Sequence, residues 1–278
     1  MTTEKEMRFA VGNAGEVSAI LLRPQDAGCL LVLAHGAGAG MRHSFMEEMA
    51  EELAGAGVAT LRFNFPYMEQ RRKVPDRAPV PTEAVLAAVR AAAEGAPELP
   101  LFAGGKSYGG RMTSQAVADT LQVSAASSRV ADTSQASAAT SRLPASTSRM
   151  SASKTSRAAD ASLASAGGTS LAKVRGLVFF GLPLHPPGQP STKRADHLAR
   201  VKLPMLFLQG TRDTLADLSL LRPICAKLGS RATLHIIETA DHSFHVLKSS
   251  GKTDADVMRE LARTVGEWTE RILRQESQ

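Results

Sequence analysis

The stretch Gly105-Lys106-Ser107-Tyr108-Gly109 constrains this chain more than any other. It follows the apolar run Leu101-Phe102-Ala103 and leads into a helix-compatible segment from Gly110. A serine flanked by glycines two positions to either side, between a strand and a helix, is the pattern of a sharp elbow with the serine at its apex. The glycines have a mechanical reason. A turn this tight brings strand and helix backbones so close that a side chain at Gly105 or Gly109 would clash. Ser107 is then held out where a small molecule can reach it.

The rest of the chain supplies the layers such an elbow needs. Residues 7–24 read as two short strands, the better being Val17-Ser18-Ala19-Ile20-Leu21-Leu22, ended by Pro24. Cys29 to Ala34 is continuously apolar, as expected for a strand covered on both faces of a parallel sheet. Ser44 and Glu47 form a capping box ahead of Phe45, Met49 and Leu53 at helical spacing. Val58 to Phe63, Val174 to Phe180, Met205 to Leu208 and Leu234 to Ile237 predict further strands, with helical patterns between them and a closing helix on Val257, Leu261, Val265, Trp268 and Ile272. Strand and helix in alternation predict an α/β fold with a mostly parallel central sheet, helices on both faces and no large cap domain.

One segment breaks the pattern. From 122 to 170 the composition turns to Ser, Ala, Thr and Arg, which cannot bury enough apolar surface to offset chain entropy. The expectation is a single domain spanning 1–278, interrupted by a flexible low-complexity insertion at 122–170, with a mobile lid or binding arm as the functional alternative. The insertion also explains much of the charge. The chain's formal charge is +6, and this segment holds five basic residues against two acidic ones. With aromatic content of only 4%, the remaining charge offers little for stacking bases, so no nucleic-acid partner is expected. No apolar run approaches membrane-spanning length and no secretory stretch follows Met1, so the expectation is a cytoplasmic protein without a membrane partner, monomeric or homodimeric. Cys29 and Cys225 read as reduced residues, not a disulfide framework.

A serine hydroxyl holds its proton at neutral pH, so a nucleophilic Ser107 needs a base and a carboxylate to orient that base. The chain supplies Asp213 after one strand and His242 after the next, and in an open parallel sheet strand ends share one edge, where ligands bind. Their ordinary readings are a helix cap for the aspartate and a surface position for the histidine; three such residues at three strand ends favour chemistry. Asp217 and Asp241 are weaker stand-ins for Asp213, as is His245 for His242. The backbone N–H groups of Tyr108 and of Ala37, in the turn His35-Gly36-Ala37-Gly38, are candidate oxyanion donors. His35, Gly36, Arg62, Tyr67 and His185 follow other strand ends and are candidate substrate-binding residues, with loop packing as the alternative. Arg71, Arg72, Lys73, Lys106 and Arg111 would favour an anionic acyl group.

Two phosphate-binding patterns fail. Gly105-Lys106-Ser107 imitates the end of a Walker A loop, but Pro100 stands where its first glycine belongs; Gly36 to Gly40 imitates a dinucleotide loop, but Met41 stands at the sixth position. His242 with His245, and His35 with His43, lack a convincing third ligand, so no metal and no cofactor are expected.

These residues carry a resemblance. Ala34 to Gly40, Arg62 to Tyr67, Gly105 to Arg111, Gly181 to Gly188, Gly210 to Asp213 and Asp241 to Phe244 make the chain similar to serine α/β hydrolases of the dienelactone-hydrolase-like kind, in particular to small bacterial hydrolases related to the testis-expressed and non-specific-lethal-complex subunit 3 proteins. The resemblance covers nearly the whole chain apart from 122–170. It implies a hydrolase fold and no defined substrate; the order Ser107, Asp213, His242 is the one that fold uses, and the expected reaction is cleavage of a carboxylic ester or thioester of a small molecule through an acyl-enzyme. Dienelactone hydrolase itself uses a cysteine, so its substrate does not transfer. Some relatives resemble interaction subunits, which leaves a silent scaffold binding a protein partner as the competing reading.

Overall fold

Apolar runs of six or seven residues form most of the central sheet. The computed structural model describes residues 1–122 and 171–276. Its strands are β1 (Thr2–Ala10), β2 (Glu16–Pro24), β3 (Cys29–Ala34), β4 (Val58–Phe63), β5 (Leu101–Lys106), β6 (Val174–Phe180), β7 (Met205–Gly210) and β8 (Ala232–Ile237). They join in one open sheet of order β1-β2-β4-β3-β5-β6-β7-β8. The pairs from β4 through β8 are parallel, while β1 and β2 form an antiparallel margin against β4.

Period-two alternation puts the two sides of each inner strand into two different cores. Leu30 and Val32 of β3, Ala103 of β5, Leu177 and Phe179 of β6 and Phe207 of β7 face one core. Leu31, Leu33, Phe102, Val178, Phe180, Leu206 and Leu208 face the other. The first core is covered by α3 (Val80–Gly95), α4 (108–122) and α5 (Leu218–Leu228) through Val85, Val89, Met112, Ala116 and Leu221. The second is covered by α1 (Ser44–Gly55) and α6 (Asp254–Glu276) through Met49, Leu53, Val257, Leu261 and Trp268. A short helix, α2 (Pro66–Glu69), lies between β4 and α3. Each fully buried Leu or Phe contributes about 1.5–3 kcal/mol, so a charge at Leu31 or Phe179 would cost more than an ordinary domain can lose.

Three local readings differ from the sequence expectation. β1 starts at Thr2, not at residue 7, because its charged outer half pairs with β2 as an exposed margin and needs no apolar pattern. The cap of α1 is His43, not Ser44: its backbone is extended and its Nδ1 accepts the Phe45 N–H. Residues 193–200 form a 3₁₀ segment with no counterpart in the sequence reading. The expected insertion at 122–170 lies outside the described residues except for Gln122, the last described residue of α4. Among the described residues no helix is long and apolar enough to cross a membrane.

The parallel register aligns the carboxyl ends. Ala34 pairs with Gly105, Lys106 with Phe180, Phe180 with Leu208, and Gly210 with Ile237. Every loop that carries a candidate site residue therefore leaves the sheet along the same edge.

Candidate active site

Ser107 sits between β5 and α4 with φ +51, a left-handed backbone that few non-glycine residues adopt. The flanking glycines permit it: a β-carbon on Gly105 would stand 2.3 Å from the Ala34 carbonyl oxygen, and one on Gly109 2.2 Å from the same atom. The Ser107 N–H donates to the Phe180 carbonyl at 3.0 Å, which ties the apex to β6.

The elbow points its hydroxyl at His242. Ser107 Oγ lies 2.8 Å from His242 Nε2, and His242 Nδ1 lies 2.8 Å from Asp213 Oδ2. A carboxylate only accepts, so Nδ1 carries the ring proton and Nε2 offers its lone pair to the serine. Asp213 is nearly fully buried and receives two further bonds, from the Gln209 side-chain amide at 2.7 Å and the Leu215 N–H at 2.8 Å. Burial pushes its carboxyl up, but the bond to His242 and its charge, with the Leu215 and Gln209 donors, outweigh burial and hold it below the usual carboxylate range. The stand-ins do other work. Asp217 caps α5 through the Ser219 N–H, Asp241 accepts the Ser243 and His245 N–H groups within its own loop, and His245 pairs with Asp254 at 2.7 Å.

The turn after β3 is held open by a second network. His35 Nε2 accepts the Phe65 N–H at 3.1 Å, so its Nδ1 carries the proton and donates to the Gly36 carbonyl at 2.7 Å. Burial drives the His35 imidazole down to about 4 despite that bond, so it stays neutral. The Tyr67 hydroxyl accepts the Gly38 N–H at 2.8 Å, and Asn64 Oδ1 accepts the Met41 N–H at 2.9 Å. Ala37, between these anchored residues, lines the cavity. Tyr108 is the first residue of α4, where a backbone N–H has no intrahelical acceptor.

A cavity of about 530 Å³ opens over Ser107. Gly36, Ala37, Ser107 and His242 form its floor, and Phe45, Met46, Phe244 and Met258 line its apolar wall. Of the five expected substrate-binding residues only Gly36 reaches it. His35 and Tyr67 are fully buried behind the turn. Arg62, 3% exposed, reaches toward the Met41 carbonyl at 3.5 Å and Glu4 at 3.6 Å; His185, also 3% exposed, bonds the Pro186 carbonyl at 2.8 Å. A strand-end position fixed their place on the edge but not the direction of their side chains. Among the expected cations only Lys106 lines the cavity; Arg71, Arg72 and Lys73 are exposed elsewhere, Arg72 pairs with Asp76, and Arg111 lies 5.7 Å from the centre of the Tyr108 ring. Gln209 escaped the sequence reading, and Phe45 and Phe244 figured in it as a helix position and a motif residue but not as cavity wall. The signal for Gln209 was a lone amide in an otherwise apolar strand.

A second serine and histidine also meet. Ser114, in the body of α4, has Oγ 2.7 Å from His197 Nε2 and donates its hydroxyl to the Arg111 carbonyl at 3.0 Å. Both residues are buried and neither lines the cavity over Ser107. Burial, with the Arg200 charge, lowers His197 to about 4. Asp213 bonds His242, and among the described residues no carboxylate is hydrogen-bonded to His197. Cys29 and Cys225 are free thiols pushed up to about 11 by burial, which keeps them protonated and unreactive. Among the described residues no cluster of His, Cys, Asp or Glu is arranged to hold a metal.

Known proteins share this architecture. The dienelactone hydrolase of Anabaena variabilis superposes with a TM-score of 0.63 at 18% identity, over 97% of this chain and 98% of that one. A Xanthomonas campestris α/β serine hydrolase without a lid gives 0.60 at 16% identity, over 95% and 94%. The esterase domain of a Rhodothermus marinus protein gives 0.58 at 14% identity, over 97% and 98%. At these identities the likeness is one of fold. The alpha/beta hydrolase domain family matches residues 27–131 and 146–270, well over half the sequence, so the chain belongs to the alpha/beta hydrolase family.

Proposed function

We propose that the protein is a serine hydrolase that cleaves a carboxylic ester or thioester carrying a neutral, mainly apolar acyl group. One observation carries this reading: Asp213, His242 and Ser107 form an unbroken relay, 2.8 Å at each step, whose serine end lies in the floor of a cavity. The family membership and the esterases among the similar folds support the reaction class.

In the forward step Ser107 Oγ attacks the acyl carbonyl carbon while His242 Nε2 takes the hydroxyl proton. Asp213 holds the imidazole in the tautomer that can accept and stabilises the imidazolium that results. The carbonyl oxygen becomes an oxyanion, and the Ala37 and Tyr108 amides are its donors; losing one such donor typically costs about 10²- to 10³-fold. The tetrahedral species collapses, the carbon–oxygen or carbon–sulfur bond breaks, and His242 returns its proton to the departing alcohol or thiol. Water then repeats the sequence against the Ser107 acyl ester, giving the carboxylic acid and the free serine.

The acyl preference follows from the wall. Phe45, Met46, Phe244 and Met258 present apolar surface, and each buried methylene contributes about 0.8 kcal/mol. Hydrolysis of p-nitrophenyl esters from acetate upward, with a hemisuccinate ester as the anionic comparison, tests it. The expected result is a kcat/KM that rises with chain length until the cavity is filled and a hemisuccinate that is at least about tenfold poorer than its neutral isostere. A preference for the hemisuccinate that collapses with added salt would contradict the apolar assignment.

A further inference from the structure

Lys106, one residue before the nucleophile, is a buried cation whose hydrogen bond goes to a carbonyl and not to a carboxylate. Its Nζ donates to the His242 backbone oxygen and lies 5.5 Å from the centre of the Phe45 ring and 5.1 Å from that of Phe244. A charge this deeply desolvated is expensive unless something local requires it. Rings and a carbonyl compensate part of the cost.

The neighbourhood shows what requires it. Gly181, at the end of β6 with φ +65, leaves a space where a β-carbon would stand 3.3 Å from Lys106 Nζ, 3.3 Å from His242 Nδ1 and 3.4 Å from Asp213 Oδ2. The ammonium and the imidazole Nδ1 are therefore at most twice 3.3 Å, or 6.6 Å, apart. His242 belongs to an irregular loop in which Phe244 has a left-handed backbone at φ +70. Lys106 joins the peptide of that loop to the residue adjoining Ser107 across 136 positions of sequence, independently of the reacting bond.

We propose, resting on the catalytic reading above, that Lys106 is a positioning residue of the relay: its ammonium, beside the Phe45 and Phe244 rings, clamps the His242 carbonyl and so fixes the imidazole against Ser107. Burial lowers Lys106 to about 8, with the Asp213 and Asp241 charges opposing the fall, so the ammonium is still charged at neutral pH. The other groups around the imidazole are Asp213 after β7 and Asp241 on its own loop; His43 and Glu48 of α1, and His245 with Asp254 of α6, line the same cavity.

The test compares Lys106→Met and Lys106→Gln with the native chain, following fluorophosphonate labelling of Ser107 from pH 5 to 9 together with thermal unfolding. Methionine removes donor and charge, and glutamine keeps a donor without charge. Lys106→Met is expected to label at least about tenfold more slowly at pH 7, where the native ammonium is still charged. Its unfolding midpoint is expected to hold or rise by a few degrees, because a buried charge has gone. Lys106→Gln, which keeps a donor for the His242 carbonyl, recovers part of the rate, and it carries the test if the methionine variant does not fold. A glutamine variant no faster than the methionine one, or rates that fall only in step with stability, overturn the proposal. A native chain that takes no label contradicts the catalytic reading itself, whereas a labelled native chain with variants that label as fast as it does overturns this proposal alone.

Discussion

Ser107 and Ser114 lie seven positions apart, and each has a histidine nitrogen within hydrogen-bond distance: 2.8 Å for Ser107 with His242 and 2.7 Å for Ser114 with His197. The distances are alike and the surroundings are opposite. Ser107 stands at a left-handed apex in a cavity floor, and the proton on the far side of its histidine is committed to Asp213. Ser114 stands inside a helix with its own proton given to the Arg111 carbonyl, so His197 donates to it and has nothing to accept. A serine becomes a nucleophile through the direction its proton can travel, not through its nearness to a histidine. Burial completes the contrast, because a group that substrate cannot reach contributes only to stability.

The largest effect is expected at His242. His242→Ala should lower the rate of acylation by about 10⁴-fold or more, measured by single-turnover hydrolysis, while His197→Ala should change it by less than about threefold. A similar loss in both variants would erase the distinction. Asp213→Asn comes next, with an expected fall of about 10²- to 10⁴-fold in kcat and little change in KM, since an amide favours the wrong imidazole tautomer. The smaller effects lie on the stability side. His197→Ala leaves a buried serine oxygen without its donor and should cost about 1–3 kcal/mol in denaturant unfolding.

His197 also gives the fold a pH dependence. Its folded value, about 4, lies below the ordinary 6.5. As pH falls below 6.5 the unfolded chain takes up a proton that the folded chain refuses, so stability declines until about pH 4 and then levels off. For a shift of this size the loss is on the order of 3 kcal/mol, and His35 adds a decline of the same sign over the same window. His197→Gln should flatten its share of the decline in urea titrations at pH 4.5 and 7, with the labelling profile unchanged. Equal slopes for variant and native chain would show that His197 is solvated.

The elbow was legible in the sequence because its constraint is geometric: contacts of 2.3 and 2.2 Å admit no residue but glycine at 105 and 109. Asp213 and His242 were legible because a parallel sheet sends its strand ends to one edge. That same rule misplaced His35, Arg62, Tyr67 and His185 in the cavity wall, since it says where a loop starts and nothing about which way a side chain turns. The Ser114–His197 pair left no trace, because it joins a helix interior to a 3₁₀ segment 83 positions on and depends wholly on tertiary packing. Gln209 and His43 were missed for a related reason: each acts through hydrogen bonds whose partners the local sequence does not announce.

The most direct test of this contrast is to label the native chain with a fluorophosphonate and map the modified peptide by mass spectrometry, alongside Ser107→Ala and Ser114→Ala. The expected result is one adduct, on Ser107, in the native chain and in Ser114→Ala at rates within about threefold of each other, and no adduct in Ser107→Ala. An adduct on Ser114, or labelling that survives Ser107→Ala, would contradict it.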